Sequence, residues 1–256
     1  MKLIAFDLDE TLLKDNKTAS EYTLLVLAEL RALGHKIVIN TARSELFTNE
    51  LSYLPECDYY IYNGGSVIKE HGGNTVFRAD ISPEALRALI TDVSAVTDNF
   101  SVQTDEALYC NRVNIMRKES RVFDFENRKI DFPALKVLAH VESDEDALRI
   151  AAAHGLELTT YLSNNWRRYN VKGITKLSGL IELCRITGTD IGDVMFFGDD
   201  HGDLAAIDGV GIGVLMKNAS DEHKIGCRRV TEFTNNEDGV ARFLADYFSL
   251  NAEYNI

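Results

Sequence analysis

The sequence is short of positive charge, has no long hydrophobic run and keeps its four cysteines far apart, and each of these absences excludes a class of protein. No apolar stretch approaches the roughly eighteen residues of a membrane-spanning helix. The opening MKLIAFDLDETLL reaches its second aspartate at residue 9, which suits no signal peptide, so a cytoplasmic protein is expected. Twenty-seven basic residues stand against forty acidic ones, and the formal charge of −13 repels nucleic acid backbones and anionic membranes alike. Neither is expected as a partner. Cys57, Cys110, Cys184 and Cys227 form no CxxC pair, which favours reduced thiols over zinc or disulfides. Internal repeats, low-complexity tracts and long linkers are also missing.

What is present is a chain of 256 residues, 45% hydrophobic, enough for one large domain or two modest ones. Leu3 to Phe6 is an apolar run ending in acid, the pattern of a buried parallel strand. Thr18 and Glu21 form a capping-box pattern ahead of Leu24, Leu27 and Leu30, with Gly34 as the stop. Ile37 to Thr41 reads as a second strand, Ser44 to Leu54 as a helix and Tyr59 to Tyr62 as a third strand. This βαβαβ alternation predicts a Rossmann-like, doubly wound α/β core.

From about Ser66 the texture changes to that of an inserted α+β unit. It opens with a hairpin around His71-Gly72-Gly73-Asn74 and a helix from Ser82-Pro83-Glu84. Strands follow near Phe100 to Val102, Ala107 to Met116 and Lys136 to Val141, then a helix from Ser143 to His154. A second hairpin, Leu156 to Leu162 and Trp166 to Val171 joined through Ser163-Asn164-Asn165, closes the unit. After Gly173 a helix capped by Thr175, an apolar strand from Val194 to Phe197 and further βα units return. The expected division is 1–66 with 171–256 as a discontinuous core and 67–170 as an inserted cap.

In an open α/β sheet the ligand crevice lies beyond the carboxyl ends of the strands, and here those ends carry Asp7 and Asp9, Thr41, and Asp199 to Asp203. So many carboxylates in one crevice repel unless they protonate or hold a cation. Oxygen-only ligation points to Mg2+, and the chain's negative field makes a local cation necessary for any phosphate site. Asp7 and Asp9, two apart on extended chain, project to one side with Cα atoms roughly 6 to 7 Å apart. One can attack phosphorus while the other serves the bridging oxygen; a metal favours an ionised Asp7 and leaves the proton to Asp9. Thr41 and Lys176 are candidate phosphate-binding groups.

These residues resemble the haloacid dehalogenase superfamily, specifically its Cof-type phosphatases with a class IIB cap. Phe6-Asp7-Leu8-Asp9-Glu10-Thr11-Leu12, Asn40-Thr41-Ala42-Arg43, Lys176 and Gly198-Asp199 through Asp203 match the family's four motifs in order. Asn63-Gly64-Gly65, Gly173-Ile174-Thr175-Lys176 and Glu237-Asp238-Gly239-Val240 are also similar. The resemblance implies Asp7 as nucleophile and metal ligand, and Asp9 as acid and base with its carbonyl on the metal. It further implies Asp199 as the remaining carboxylate ligand, Thr41 and Lys176 as phosphate holders, and Asp203 behind them, orienting metal-bound water or Lys176. Three positions depart from the family pattern: Glu10 and Ala42 stand where glycine is usual, and Gly202 where asparagine is.

The expected activity is Mg2+-dependent hydrolysis of small phosphate monoesters, sugar phosphates or phosphorylated cofactors, through an aspartyl phosphate. A small phosphorylated metabolite is the expected partner, and the chain a monomer or weak homodimer. A sugar phosphomutase and a catalytically weak phosphate-binding protein are the alternatives. His201 reads as an exposed loop residue and Gly209-Val210-Gly211-Ile212-Gly213 as a tight strand entry rather than a dinucleotide fingerprint. Arg43 either touches substrate or forms a structural ion pair. Arg112, Asn114, Trp166, Arg167 and Arg168 are candidates to face substrate or simply to pack.

Overall fold

The computed structural model describes residues 2–51, 54–112, 120–160 and 165–250. The chain divides into two compact units, Met1–Arg78 with Thr175–Ile256, and Ala79–Ile174.

The first unit begins with β1 (Leu3–Phe6), α1 (Glu21–Ala32), β2 (Lys36–Asn40), α2 (Glu45–Thr48), β3 (Tyr59–Tyr62), β4 (Val67–Glu70) and β5 (Thr75–Arg78). The second contains α3 (Pro83–Ser94), β6 (Phe100–Gln103), β7 (Leu108–Cys110), β8 (Ser120–Val122), β9 (Lys136–His140), α4 (Asp144–Ala153), β10 (Leu156–Thr160) and β11 (Trp166–Val171). The first resumes with α5 (Lys176–Thr187), β12 (Val194–Gly198), α6 (His201–Gly209), β13 (Ile212–Leu215), α7 (Asp221–Lys224) and α8 (Gly239–Tyr247).

The first unit is built on a seven-stranded sheet in the order β13-β12-β1-β2-β3-β4-β5. β13 through β3 run parallel, and the β4–β5 hairpin extends the sheet antiparallel. Alternate residues of β1 face opposite layers: Ile4 and Phe6 pack with Val26, Leu27 and Leu30 of α1 and Leu244 of α8, whereas Leu3 and Ala5 pack with Leu180 and Leu183 of α5 and Ala206 of α6. Because helices cover both faces, the strand is apolar at every position. The chain leaves β1 towards β2 on one side and returns through β12 on the other, so the topological switch point lies between β1 and β12.

The second unit is a six-stranded mixed sheet, β10-β11-β9-β6-β7-β8, with α3 and α4 on one face. Leu86, Leu89 and Val93 of α3 and Ile150 of α4 cluster there with Val102, Val137 and Tyr169.

The 66–78 hairpin forms where the turn residues predict it, but Val67 and Ile68 pair with Tyr62 and Ile61 of the first sheet rather than opening the insertion. Turn chemistry specifies a hairpin, not the sheet that it joins. At α1 the cap is Ser20, whose hydroxyl accepts from the Thr23 amide at 3.0 Å, while Thr18 donates to Asn16 at 2.7 Å, so the Thr18–Glu21 box does not form. α2 stops at Thr48, and Leu51 and Leu54 reach the core without a helix. All four cysteines are free. Among the described residues no helix is long and apolar enough to cross a membrane.

Candidate active site

Backbone register brings the motif residues to one edge of the first sheet. Phe6 lies opposite Phe197 on one side and Ile39 on the other, so Asp7, Asp199 and Thr41 emerge from three adjacent strand ends. After Asp7 the chain makes a wide turn closed by hydrogen bonds from Leu12 N to Asp7 O at 3.3 Å and Leu13 N to Leu8 O at 2.8 Å. This turn lets the Thr11 hydroxyl donate to Asp199 Oδ1 at 2.8 Å.

Its tightest point is Glu10, with φ of 57°. A side chain in the left-handed region is strained, and glycine is not. The Glu10 charge also adds to the negative field at Asp199. Glu10→Gly is therefore expected to stabilise the fold by about 1 kcal/mol, read as a raised midpoint in urea. A lowered midpoint would show that the Glu10 side chain makes a stabilising contact.

Lys176, the first residue of α5, is buried beneath the cluster. Its Nζ donates to Asp7 Oδ1 at 2.9 Å and to Asp203 Oδ1 at 2.5 Å. The other Asp203 oxygen accepts the backbone amides of Asp199 at 3.1 Å and Asp200 at 3.2 Å. A Cβ added at Gly198 would collide with the Asp203 side chain, so glycine is required for this close approach.

Oxygens of Asp7, Asp199 and Asp203 lie within 4.8 Å of one another. Burial pushes the Asp7 carboxyl up against the pull of Lys176, and the Asp199 charge adds to the rise. Burial likewise carries Asp199 up to about 7, against its bond from Thr11 and helped by Asp203, Asp200 and Glu10. Asp203 is raised by burial and by Asp7, with Lys176 opposing. Burial alone would lower Lys176, yet Asp7 and Asp203 hold it above the ordinary lysine range, firmly protonated. Three carboxylates against one ammonium leave an excess of negative charge in a buried, oxygen-only setting, which fits a hard divalent cation. Both Asp203 oxygens are engaged, Oδ1 by Lys176 and Oδ2 by the Asp199 and Asp200 amides, so Asp203 anchors the lysine and the loop that carries Asp199.

Asp9 stands apart from this cluster. Arg43 grips it as a fork, Nε to Oδ2 at 2.6 Å and Nη2 to Oδ1 at 2.7 Å, and Lys17 adds a contact at 2.8 Å. Burial would raise its carboxyl, but the bonds and charges of Arg43 and Lys17 outweigh this and hold it down at about 2. With no cation at the cluster, Asp9 is thus the more readily ionised of the two and Asp7 the more readily protonated, whereas the expectation of a protonated Asp9 concerns the metal-loaded site. The partners of Asp9 are cations eight and 34 positions further along the chain, which the spacing of the two aspartates does not reveal.

Thr41 is buried, and its hydroxyl oxygen accepts from the Arg43 amide at 3.1 Å. Its hydroxyl proton has no acceptor among the described residues and is available to a phosphoryl oxygen.

Thr11, Lys17 and Gly198 escaped the sequence reading as site residues. Thr11 and Gly198 lie inside the matched motifs, whereas Lys17 belongs to a loop whose docking is tertiary. Asp15 of that loop accepts from Asn235 at 3.0 Å and Asn236 at 2.8 Å, and Lys14 pairs with Asp238 at 3.2 Å. The segment around Glu237-Asp238-Gly239-Val240 thus holds the loop that carries Lys17.

Of the other candidates, His201 is exposed at the start of α6. At the glycine-rich strand entry, added Cβ atoms at Gly211 and Gly213 would strike the carbonyls of Gly192 and Ile207, as tight packing requires. In the second unit Arg112 pairs with Asp98, Trp166 meets the His140 ring at 5.7 Å, Arg167 donates to Asp144 at 2.6 Å and Arg168 to Thr159 at 2.9 Å. Asn114, Ser163 and Asn164 lie outside the described residues.

The chain is 28% identical over 270 residues to the 5-amino-6-(5-phospho-D-ribitylamino)uracil phosphatase YitU of Bacillus subtilis, covering 97% of this chain and 98% of that protein. Its fold matches TM0651 from Thermotoga maritima with a TM-score of 0.82 at 20% identity, over 96% of this chain and 97% of that one. The subclass IIB sugar phosphatase BT4131 superposes with a TM-score of 0.73 at 20% identity, over 97% and 99% of the two chains. The haloacid dehalogenase-like hydrolase family matches residues 4–244, nearly the whole length over which these carboxylates, the lysine and the strand ends are distributed, and the chain belongs to that family.

Proposed function

We propose that the protein is a phosphatase that hydrolyses small phosphate monoesters through an aspartyl phosphate on Asp7, with Mg2+ as its cofactor. The observation that carries this reading is Lys176 Nζ bridging Asp7 and Asp203 beside Asp199, a buried cluster whose excess negative charge calls for a cation. Asp7 and Asp199 would hold the ion, together with the Asp9 carbonyl, and the ion would supply charge neutralisation at the phosphoryl oxygens.

An ionised Asp7 oxygen bonds to phosphorus as the ester P–O bond breaks, and the departing oxygen takes a proton from Asp9. Water then attacks the aspartyl phosphate, Asp9 accepts its proton, and orthophosphate leaves as Asp7 is regenerated. Lys176 keeps Asp7 oriented and draws its carboxyl towards the ionised form against burial, and the Thr41 hydroxyl donates to a phosphoryl oxygen. As Asp9 stands, the fork of Arg43 keeps it ionised and only weakly basic; taking up a proton or giving one requires its carboxylate to leave that fork.

The name of the Bacillus relative, a phosphatase of a ribityl phosphate, and that of the sugar phosphatase support sugar phosphates or phosphorylated cofactor precursors as the substrate class. In this reading the inserted unit acts as a cap that selects the leaving group, and the protein works in the cytoplasm as a monomer or weak homodimer.

A screen of sugar monophosphates and phosphorylated cofactors with Mg2+ is expected to give orthophosphate stoichiometric with the alcohol product. Isomer interconversion without phosphate release would identify a phosphomutase instead. Cation binding without turnover of any ester would leave only a phosphate-binding role.

A further inference from the structure

We infer that Asn40 is a positioning residue for Lys176, acting through a buried side-chain bond to the lysine's main chain. This rests on the phosphatase reading above.

Asn40 ends β2 after Ile37, Val38 and Ile39, and all four side chains are fully buried. Its Nδ2 donates to the backbone carbonyl of Lys176 at 3.0 Å, across 136 positions of sequence. Its Oδ1 has no hydrogen-bond partner among the described residues. A buried acceptor left unpaired destabilises a fold, and an aliphatic side chain of similar volume would fill the same space without that penalty. The strand therefore carries a polar group that core packing does not ask for, and what the group makes is a single bond to the first residue of α5.

That bond bears on geometry at the site. Lysine has a long, flexible side chain, yet Nζ of Lys176 must meet Asp7 at 2.9 Å and Asp203 at 2.5 Å together. Its main chain is held on one side by the Thr175–Ser178 capping box and on the other by Asn40. Thr41 follows Asn40 directly. One strand end thus fixes the hydroxyl and the ammonium assigned to phosphate in a common frame, and placement errors of the order of 1 Å are costly to phosphoryl transfer.

Asn40→Leu tests this, with p-nitrophenyl phosphate as substrate, orthophosphate as inhibitor and Mg2+ present throughout. The variant is expected to melt at or above the wild-type temperature. Its KM and its inhibition constant for orthophosphate should both rise about tenfold, with kcat falling about ten- to a hundredfold. If Asn40→Leu does not fold, Asn40→Ser, whose hydroxyl is too short to make the bond, is expected to show the same joint rise. An unchanged KM and unchanged orthophosphate constant in a folded variant overturn the inference, as does a fall in kcat alone, which reports only a smaller folded fraction. Failure of the phosphatase reading looks different: wild-type protein releases no phosphate, or Asp7→Asn retains turnover.

Discussion

Asp7→Asn is expected to abolish phosphate release, by about 10⁴-fold or more, in a protein that still folds. The amide is nearly isosteric with the carboxylate but cannot form the covalent intermediate, so no other change of one atom should cost as much. Stability should hold. The Asp7 carboxyl is raised by burial and by Asp199, which means that its ionised form is disfavoured in the fold, and neutralising it removes part of the repulsion. Lys176 loses one partner but keeps Asp203 at 2.5 Å. The measurements are orthophosphate release and a thermal melt on the same preparation. A well-folded Asp7→Asn variant that still turns over would remove Asp7 as nucleophile, and the aspartyl-phosphate route with it.

The second large effect concerns the cation and pH together. Asp199, ordinarily near 3.8, titrates at about 7 in the fold. A carboxyl raised on folding favours the protonated native state, so the metal-free protein should lose stability as pH climbs from about 4 towards 7. Mg2+ needs the ionised carboxylate, so its affinity should rise through the same window and level off above about 7. At a hundred times its dissociation constant the ion adds about 2.7 kcal/mol, several degrees in melting temperature for a chain of this size. The Mg2+-induced shift should therefore be large at pH 8, small at pH 5, and lost in Asp199→Asn, while a chelator should abolish turnover reversibly. An equal shift at both pH values, or one that survives in Asp199→Asn, would place the cation elsewhere.

The two aspartates of the first motif show where local reading stops. Their spacing places both after β1, but it says nothing of which is ionised more readily. That is decided by Arg43 and Lys17 around one, and by Lys176, Asp199 and burial around the other. These partners come from segments between eight and 192 positions away, counting from Asp9 to Lys17 and from Asp7 to Asp199. The 66–78 hairpin makes the same point about the fold. Its turn residues specify the reversal locally, whereas its choice of sheet depends on which unpaired edge is near when the chain collapses.

By itself the sequence determined the elements and the chemical inventory: apolar runs that must be covered on both faces, glycine stops, and Asp7, Asp9, Thr41, Lys176 and Asp199 at strand or helix ends. These follow from periodicity and residue type, which are local. Tertiary structure alone decided that Lys176 bridges Asp7 and Asp203, that Arg43 forks Asp9, and that Asn40 ties β2 to α5. Such contacts join segments remote along the chain. Their electrostatic consequences depend on ångström separations and burial, which arise only when the sheet brings the strand ends to one edge.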